Sequence, residues 1–249
     1  MAGRFLIRAG VSALLVLSPA LPPALATAAT ADGTGDPGAQ ALGREAERNL
    51  RDAHSLRLTL TDRTASGHRD GLASMDMALD RRGNCVASFR MGANGGSFDI
   101  VKRGDEVWMK ADWDYWKSQL PGDGNETADL VRDRYVHGST DESAFKDFAD
   151  ACDLKAFQKD ITVDVTSVDG RTRLGGVDVY RLRGEEEGVP TTVYITAGRP
   201  HRLVRSDQKG DGTDRTAAVS DYGKPVPSHT PAPRDSVDLS DLEHESQHG

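Results

Sequence analysis

The chain is poor in the features that mark several protein classes. Among 249 residues it has only two cysteines, 6% aromatic residues, and 31 Lys and Arg against 39 Asp and Glu. The formal net charge of −8 disfavours nucleic acid as a partner and gives no attraction to anionic lipid headgroups. The sequence also has no apolar run of about 20 residues, so it predicts no integral membrane segment.

The N-terminus is typical of a secretory signal peptide over residues 1–31. Arg4 and Arg8 form a basic start, Val11–Leu17 forms an apolar centre, and Ala26–Ala28 or Ala29–Ala31 supplies a small-residue cleavage site. No cysteine lies near that site to accept a lipid. The sequence therefore predicts a secreted, extracytoplasmic chain that is released rather than anchored.

The two cysteines, Cys85 and Cys152, have no metal-ligand spacing. In an exported protein, an even pair of this kind predicts a disulfide bond. The alternative is a reactive thiol, which needs a basic neighbourhood. Asp150 and Asp153 beside Cys152 argue against that alternative.

Composition divides the mature chain into three parts. Residues 32–38 are rich in Gly, Asp and Pro and predict a flexible lead-in, and residues 39–233 predict a single domain. That domain opens with a helix over Ala39–Ala53, in which Leu42, Ala46 and Leu50 share one face. The polar residues 234–249 predict a disordered tail.

Apolar positions then recur every second residue. Leu56, Leu58 and Leu60 alternate with polar residues, and the stretches that follow keep this period, which predicts half-buried antiparallel strands. Phe98–Trp116 is predicted to be a β-hairpin that turns at Arg103–Glu106 and leads into a cluster holding all three tryptophans.

The second half of the domain begins with a helical pattern. The disulfide would clamp this helical segment, which carries three phenylalanines, onto the strand that starts at Cys85. From residue 161 the period of two returns, with turns at Asp169-Gly170 and at later glycine pairs, which predicts a meandering antiparallel sheet.

One face of the predicted sheet is rich in methionine. Methionine fills irregular space and adapts to its neighbours, so this face could line a cavity for a flexible apolar ligand or could be ordinary core. Trp108 has the opposite parity and is expected outside the sheet or at the rim. The candidate ligand-binding residues are Met75, Met77, Phe89, Met91, Phe98, Ile100, Val107, Met109, Trp113, Trp116, Phe145, Phe148 and Phe157.

The sequence offers little catalytic chemistry. His244–His248 matches H-E-x-x-H, but no apolar helix and no third ligand accompany it, so we predict no metal site. No G-x-S-x-G, Walker or S-x-x-K motif occurs. We therefore predict a protein that is not an enzyme, with no catalytic residues and no cofactor.

Several short segments carry a family resemblance. They are the strand start Gly83–Cys85, the hairpin Gly104–Lys110, the strands Gly176–Leu182 and Gly198–Leu203, and the ending Ser220–Val226. Over about Ala39–Pro233 the chain resembles the LppX/LprAFG-type lipoproteins of actinobacteria, within the LolA-like superfamily of lipid and lipoprotein carriers. The resemblance implies an α+β fold: a curved antiparallel sheet, an open half-barrel, with helices packed across its concave face. It also implies an apolar cavity between them that takes acyl chains.

Two functions fit these observations. The first is a secreted, non-catalytic binding protein that carries a lipid or another apolar small molecule and acts as a monomer. The alternative is an extracytoplasmic interaction or sensor domain that binds an envelope protein and has no small ligand.

Overall fold

The alternation of apolar and polar residues produces strands along most of the chain. The computed structural model describes residues 35–68, 70–119, 129, 131–210 and 212–246. The predicted signal peptide, and residues 32–34 of the predicted lead-in, lie outside this part of the chain. The strands are β1 (Ser55–Asp62), β2 (Leu72–Asp80), β3 (Cys85–Met91), β4 (Ser97–Arg103), β5 (Glu106–Ala111), β6 (Tyr135–Ser139), β7 (Ser167–Leu174), β8 (Val177–Glu186), β9 (Val189–Thr196), β10 (Leu203–Gly210), β11 (Thr213–Ser220) and β12 (Ser236–Asp238).

The helices are fewer and mostly short. Those that lie wholly within the described residues are α1 (Pro37–Asp52), α2 (Trp113–Gln119), α3 (Lys146–Ala151), α4 (Leu154–Asp160) and α5 (Leu239–Ser246), with 3-10 turns at Ala65–Gly67 and Pro233–Asp235. No helix of the described residues is long and apolar enough to span a membrane.

The described strands form one sheet in the order β12-β6-β5-β4-β3-β2-β1-β11-β10-β9-β8-β7. Neighbouring strands are antiparallel except for β12 and β6, which are parallel. The sheet is open and curved, with the helices on one side, as the predicted half-barrel of the α+β class requires. We call the face that carries the hydrophobic core the inner face and the opposite one the outer face.

Helix α1 begins slightly earlier than predicted. The Asp36 side chain accepts a hydrogen bond from the Gly38 backbone N–H, and Pro37 occupies the first turn, where its missing N–H costs nothing. The face that α1 buries includes Ala46 and Leu50, as predicted, and the helix packs against β7, β9 and β10.

The predicted disulfide is confirmed. Cys85 at the start of β3 bonds to Cys152 directly after α3, with 5.7 Å between their Cα atoms. Both residues are buried. The bond holds the helical segment of α3 and α4 against the inner face of the sheet.

The C-terminal segment differs from the disordered tail predicted for residues 234–249. Ser236 pairs with Tyr135 and Val237 with Val136, so β12 adds to the sheet beside β6. Val237 in β12 and Leu242 in the following helix, α5, pack against the core. The prediction was wrong because it relied on the polar composition of the whole segment, whereas a few apolar residues within it are enough to pack against the core.

Two local predictions were also wrong. The turn expected at Asp169-Gly170 lies inside β7, where the pairing with β8 shifts register and Gly170 has a φ of 113°. The hairpin turns instead at Gly175-Gly176, where both residues have positive φ. Residues 161–166, expected as a strand, belong to no strand of the sheet. Only at their end does the Thr166 backbone N–H donate to the Arg183 carbonyl oxygen, at 2.7 Å.

Candidate functional site

The inner face can be described as rows of residues that pair directly across neighbouring strands. The row nearest the centre of the domain contains Ile100, Ala87, Met77, Leu58 and Val219, each opposite the next. Every one of them is buried, with 1–7% of its surface exposed. We call this set the core row, and its side chains have little surface exposed to solvent.

The next row is two residues farther along each strand, and its centre is only half-buried. Phe89 pairs with Met75, Met75 with Leu60, Leu60 with Ala217, and Ala217 with Ser206. We call these five residues the middle row. With about 4.8 Å between adjacent strands, the row is about 19 Å long.

Both ends of the middle row are closed by buried residues. Beyond Phe89 it meets Phe98, and beyond Ser206 it meets Val193, which are 8% and 5% exposed. The middle row is therefore a half-buried, mostly apolar strip that ends in a buried residue on each side.

Aromatic rings build the closed end at Phe98. Its ring centroid lies 4.7 Å from that of Phe89, 4.7 Å from Tyr115 and 5.3 Å from Phe148 on α3. Burial raises the pKa of Tyr115 to about 12. Contacts of this kind between rings add to the stabilisation from burial and fix the helical segment over β3 and β4.

The structure separates the predicted ligand-binding residues into two groups. The first group is core, with at most 8% of each residue exposed: Met77, Phe98, Ile100, Val107, Met109 and Phe145. The second group is half-buried: Met75, Phe89, Met91, Trp113, Trp116, Phe148 and Phe157. The second group can present surface to a ligand without unfolding the core.

The tryptophans do not act as one cluster. Trp116 packs against the core, whereas the ring of Trp113 lies under the Arg132 guanidinium at 5.1 Å. Trp108 is on the outer face and stacks on His137 with 4.7 Å between ring centroids. Because Trp108 is nevertheless only 8% exposed, the outer face has a small apolar centre of its own.

A third row borders the middle row on its other side and is polar. Asp62 pairs with Arg215, Arg215 with Gln208, and Gln208 with Thr191. The Arg215 side chain donates from Nε and Nη2 to Asp62 Oδ2, at 3.0 and 2.8 Å. We call these four residues the polar row.

Asp62 is the buried anchor of the polar row. Its Oδ1 accepts hydrogen bonds from the Thr64 N–H and hydroxyl and from the Ala65 N–H. Burial alone would raise the pKa of Asp62, but these hydrogen bonds and Arg215 outweigh it and lower the pKa to about 2. The carboxylate is therefore ionised at neutral pH and holds Arg215 in place.

The candidate residues chosen from the sequence do not include three of the five middle-row residues. Leu60 is recognisable as an apolar strand residue, but Ala217 and Ser206 have no sequence signal that marks them as part of a site. Their place follows from the pairing of β1 with β11 and of β11 with β10, which joins residues far apart in the chain.

Comparison with known proteins identifies the fold. The chain is similar to LprF from Mycobacterium bovis with a TM-score of 0.53 and 16% sequence identity, over 80% of this chain and 100% of that one. It also aligns with the lipoprotein LppX from Mycobacterium tuberculosis over 77% of this chain and 98% of that one, with a TM-score of 0.47 and 16% identity. At this identity the likeness to LprF establishes the fold alone.

The sequence itself has a distant similarity to a bacterial protein. An uncharacterized 31.2 kDa protein from the rplA-rplJ intergenic region of Streptomyces griseus is 27% identical over 171 residues, or 60% of this chain. The match spans 54% of that relative's length, so the chain corresponds to about half of it. No protein-family model matches the sequence.

Proposed function

We propose that this chain, which has the fold of LprF, holds the acyl chain of a lipid or a similarly apolar molecule along the middle row of its inner face. The observation that carries the proposal is the half-burial of that row between a buried core row and two buried ends. A strip of this length, about 19 Å from the strand spacing, suits an extended alkyl chain.

Binding along the strip would be driven by removal of apolar surface from water. Each methylene group that becomes buried contributes about 0.8 kcal/mol. The side chains of Met75 and Leu60 supply adaptable apolar contact, and the rings of Phe89 and Phe148 supply flat surfaces at one end. Contacts of this kind make the affinity depend on the length of the ligand's alkyl chain more than on its exact shape.

We also propose that the protein acts by binding and not by catalysis, in an extracytoplasmic setting. The ionisable groups nearest the middle row have structural partners that occupy them: Asp62 is bonded to Arg215, and Glu186 accepts a hydrogen bond from Gln208. These hydrogen bonds join side chains on different strands, so the groups stabilise the sheet.

The test is a substitution that fills the strip. Ala217→Trp would place an indole between Leu60 and Ser206, which flank Ala217 on the neighbouring strands. We expect the lipid recovered per mole of protein by organic extraction, after purification from the exporting host, to fall about tenfold, equivalent to ~1.4 kcal/mol.

The next residue provides the matched control. Ala218 is also half-buried but pairs with Thr59 and Arg205 on the outer face. Ala218→Trp should leave the recovered lipid unchanged. Equal lipid recovery from the two variants, or none from the unaltered protein, would contradict the proposal.

A further inference from the structure

The middle row and the polar row together indicate what kind of lipid the site accepts. We propose that the ligand is an amphiphile whose polar part is uncharged, with its alkyl chain on the middle row and its polar part on the polar row. This inference rests on the proposed function and specifies its ligand.

The two rows are close enough to contact one molecule. They are two residues apart on each strand, which corresponds to about 7 Å. Leu60 and Ala217 of the middle row are followed, on the same strands and the same face, by Asp62 and Arg215 of the polar row. A bound chain would therefore have apolar side chains along one flank and hydrogen-bonding groups along the other.

The cation of the polar row is already neutralised. Arg215 directs two of its N–H groups at Asp62, whose side chain is only 6% exposed and whose other oxygen is fully used by Thr64 and Ala65. A phosphate or carboxylate headgroup would have to compete with this pair, and separating it would leave Asp62 buried without its counter-ion. The remaining face of the guanidinium, 47% of the side chain being exposed, can still donate to a neutral oxygen.

The other charged groups at this edge are acidic. Glu186 lies on the inner side of β8 and accepts a hydrogen bond from the Gln208 amide at 2.9 Å. Glu186 is exposed as a residue, but its carboxylate is partly desolvated by its surroundings. This desolvation raises the pKa of Glu186, and the negative charges of Glu187 and Asp164 raise it further, whereas Arg215 lowers it. An acidic headgroup would meet repulsion here, whereas a hydroxyl could donate to Glu186 and an ester or amide oxygen could accept from Arg215.

The experiment compares two lipids with identical acyl chains, dioleoylglycerol and dioleoylphosphatidate, by native mass spectrometry of the full-length protein. We expect dioleoylglycerol to bind at least about tenfold more tightly. Glu186→Gln should raise the affinity for dioleoylphosphatidate about threefold, because it removes the repulsion between the carboxylate and the anionic headgroup. Glu185→Gln is the control, because Glu185 is the adjacent residue of β8 and lies on the outer face.

The outcomes separate this inference from the proposed function. Binding of dioleoylphosphatidate as tight as or tighter than that of dioleoylglycerol would overturn the inference and leave the proposed function standing. An equal response to Glu186→Gln and Glu185→Gln would also overturn it. Binding of neither lipid would overturn both.

Discussion

Removal of the Cys85–Cys152 disulfide is a perturbation whose magnitude follows from the structure. The bond closes a loop with a sequence separation of 67 residues, and both sulfur-bearing residues are buried. In the chain-entropy description, a loop of this size lowers the entropy of the unfolded state enough to contribute about 4 kcal/mol. We expect the Cys85→Ala, Cys152→Ala double variant to be destabilised by about that amount.

The assay is urea unfolding followed by tryptophan fluorescence at pH 7. With a dependence on urea of about 2 kcal/mol per molar, the midpoint should fall by about 2 M, and Tm should fall by roughly 8–16 °C. Each single variant should match the double variant, since either one opens the loop. A loss below about 1 kcal/mol would refute this account of how the helical segment is held on the sheet.

Three further predictions concern other parts of the molecule. Because the pKa of Asp62 is lower in the folded protein than its ordinary value of 3.8, its carboxylate contributes about 2 kcal/mol of stability above about pH 4, and this contribution is lost as the pH falls through about 2. Other carboxylates with a lowered pKa, such as Asp80 and Asp112, lose stabilisation over the same range. The fall in the free energy of unfolding between pH 7 and pH 2.5, measured with urea, should therefore be larger in the unaltered protein than in Asp62→Asn by about 1–2 kcal/mol, and equal falls would contradict the assignment. Phe98→Ala removes the ring that contacts Phe89, Tyr115 and Phe148, and should lower the free energy of unfolding, measured with urea at pH 7, by about 3–5 kcal/mol. Phe89→Leu should lower it clearly less, and equal losses would contradict the central place of Phe98 among these rings. Truncation after Asp235 removes β12 and uncovers the edge of β6, so we expect concentration-dependent association in sedimentation analysis, and a truncated chain that stays monomeric would argue against a protective role for β12.

The parts of the fold that were predicted correctly depend on local pattern. Strand β1 alternates strictly between apolar and polar residues and β2 does so over most of its length, so that the face of each side chain follows from its position alone. The disulfide followed from an even pair of cysteines in a chain with a predicted signal peptide. These features need no knowledge of which strands are neighbours.

The parts that were missed depend on contacts between distant segments. Nothing near Ala217 indicates that it pairs with Leu60, because β1 and β11 are brought together only when the whole sheet forms. The structure buries Met77, Ile100 and Met109 in the core, and their role as ligand contacts stays a prediction. Parity predicts the face of a residue, whereas its depth depends on what packs above it.

One short strand was not predicted, and one irregular strand was misread, for a different reason. Strand β6 has only five residues and includes a histidine and a glycine, so its alternation is too brief to stand out from a loop. Gly170 resembles a turn residue, but in the structure it absorbs a register shift within β7. Glycine signals a special backbone conformation without specifying which one.

The central claim is that an apolar chain lies along the middle row, and photo-crosslinking tests it most directly. A dioleoylglycerol analogue with a diazirine in mid-chain would be bound to the full-length protein, irradiated, and the labelled residues located by tandem mass spectrometry. We predict labels on Met75, Leu60 and Ala217 and not on their outer-face neighbours Thr59 and Ala218. Labels spread equally over both faces, or confined to residues outside the middle row, would contradict the claim.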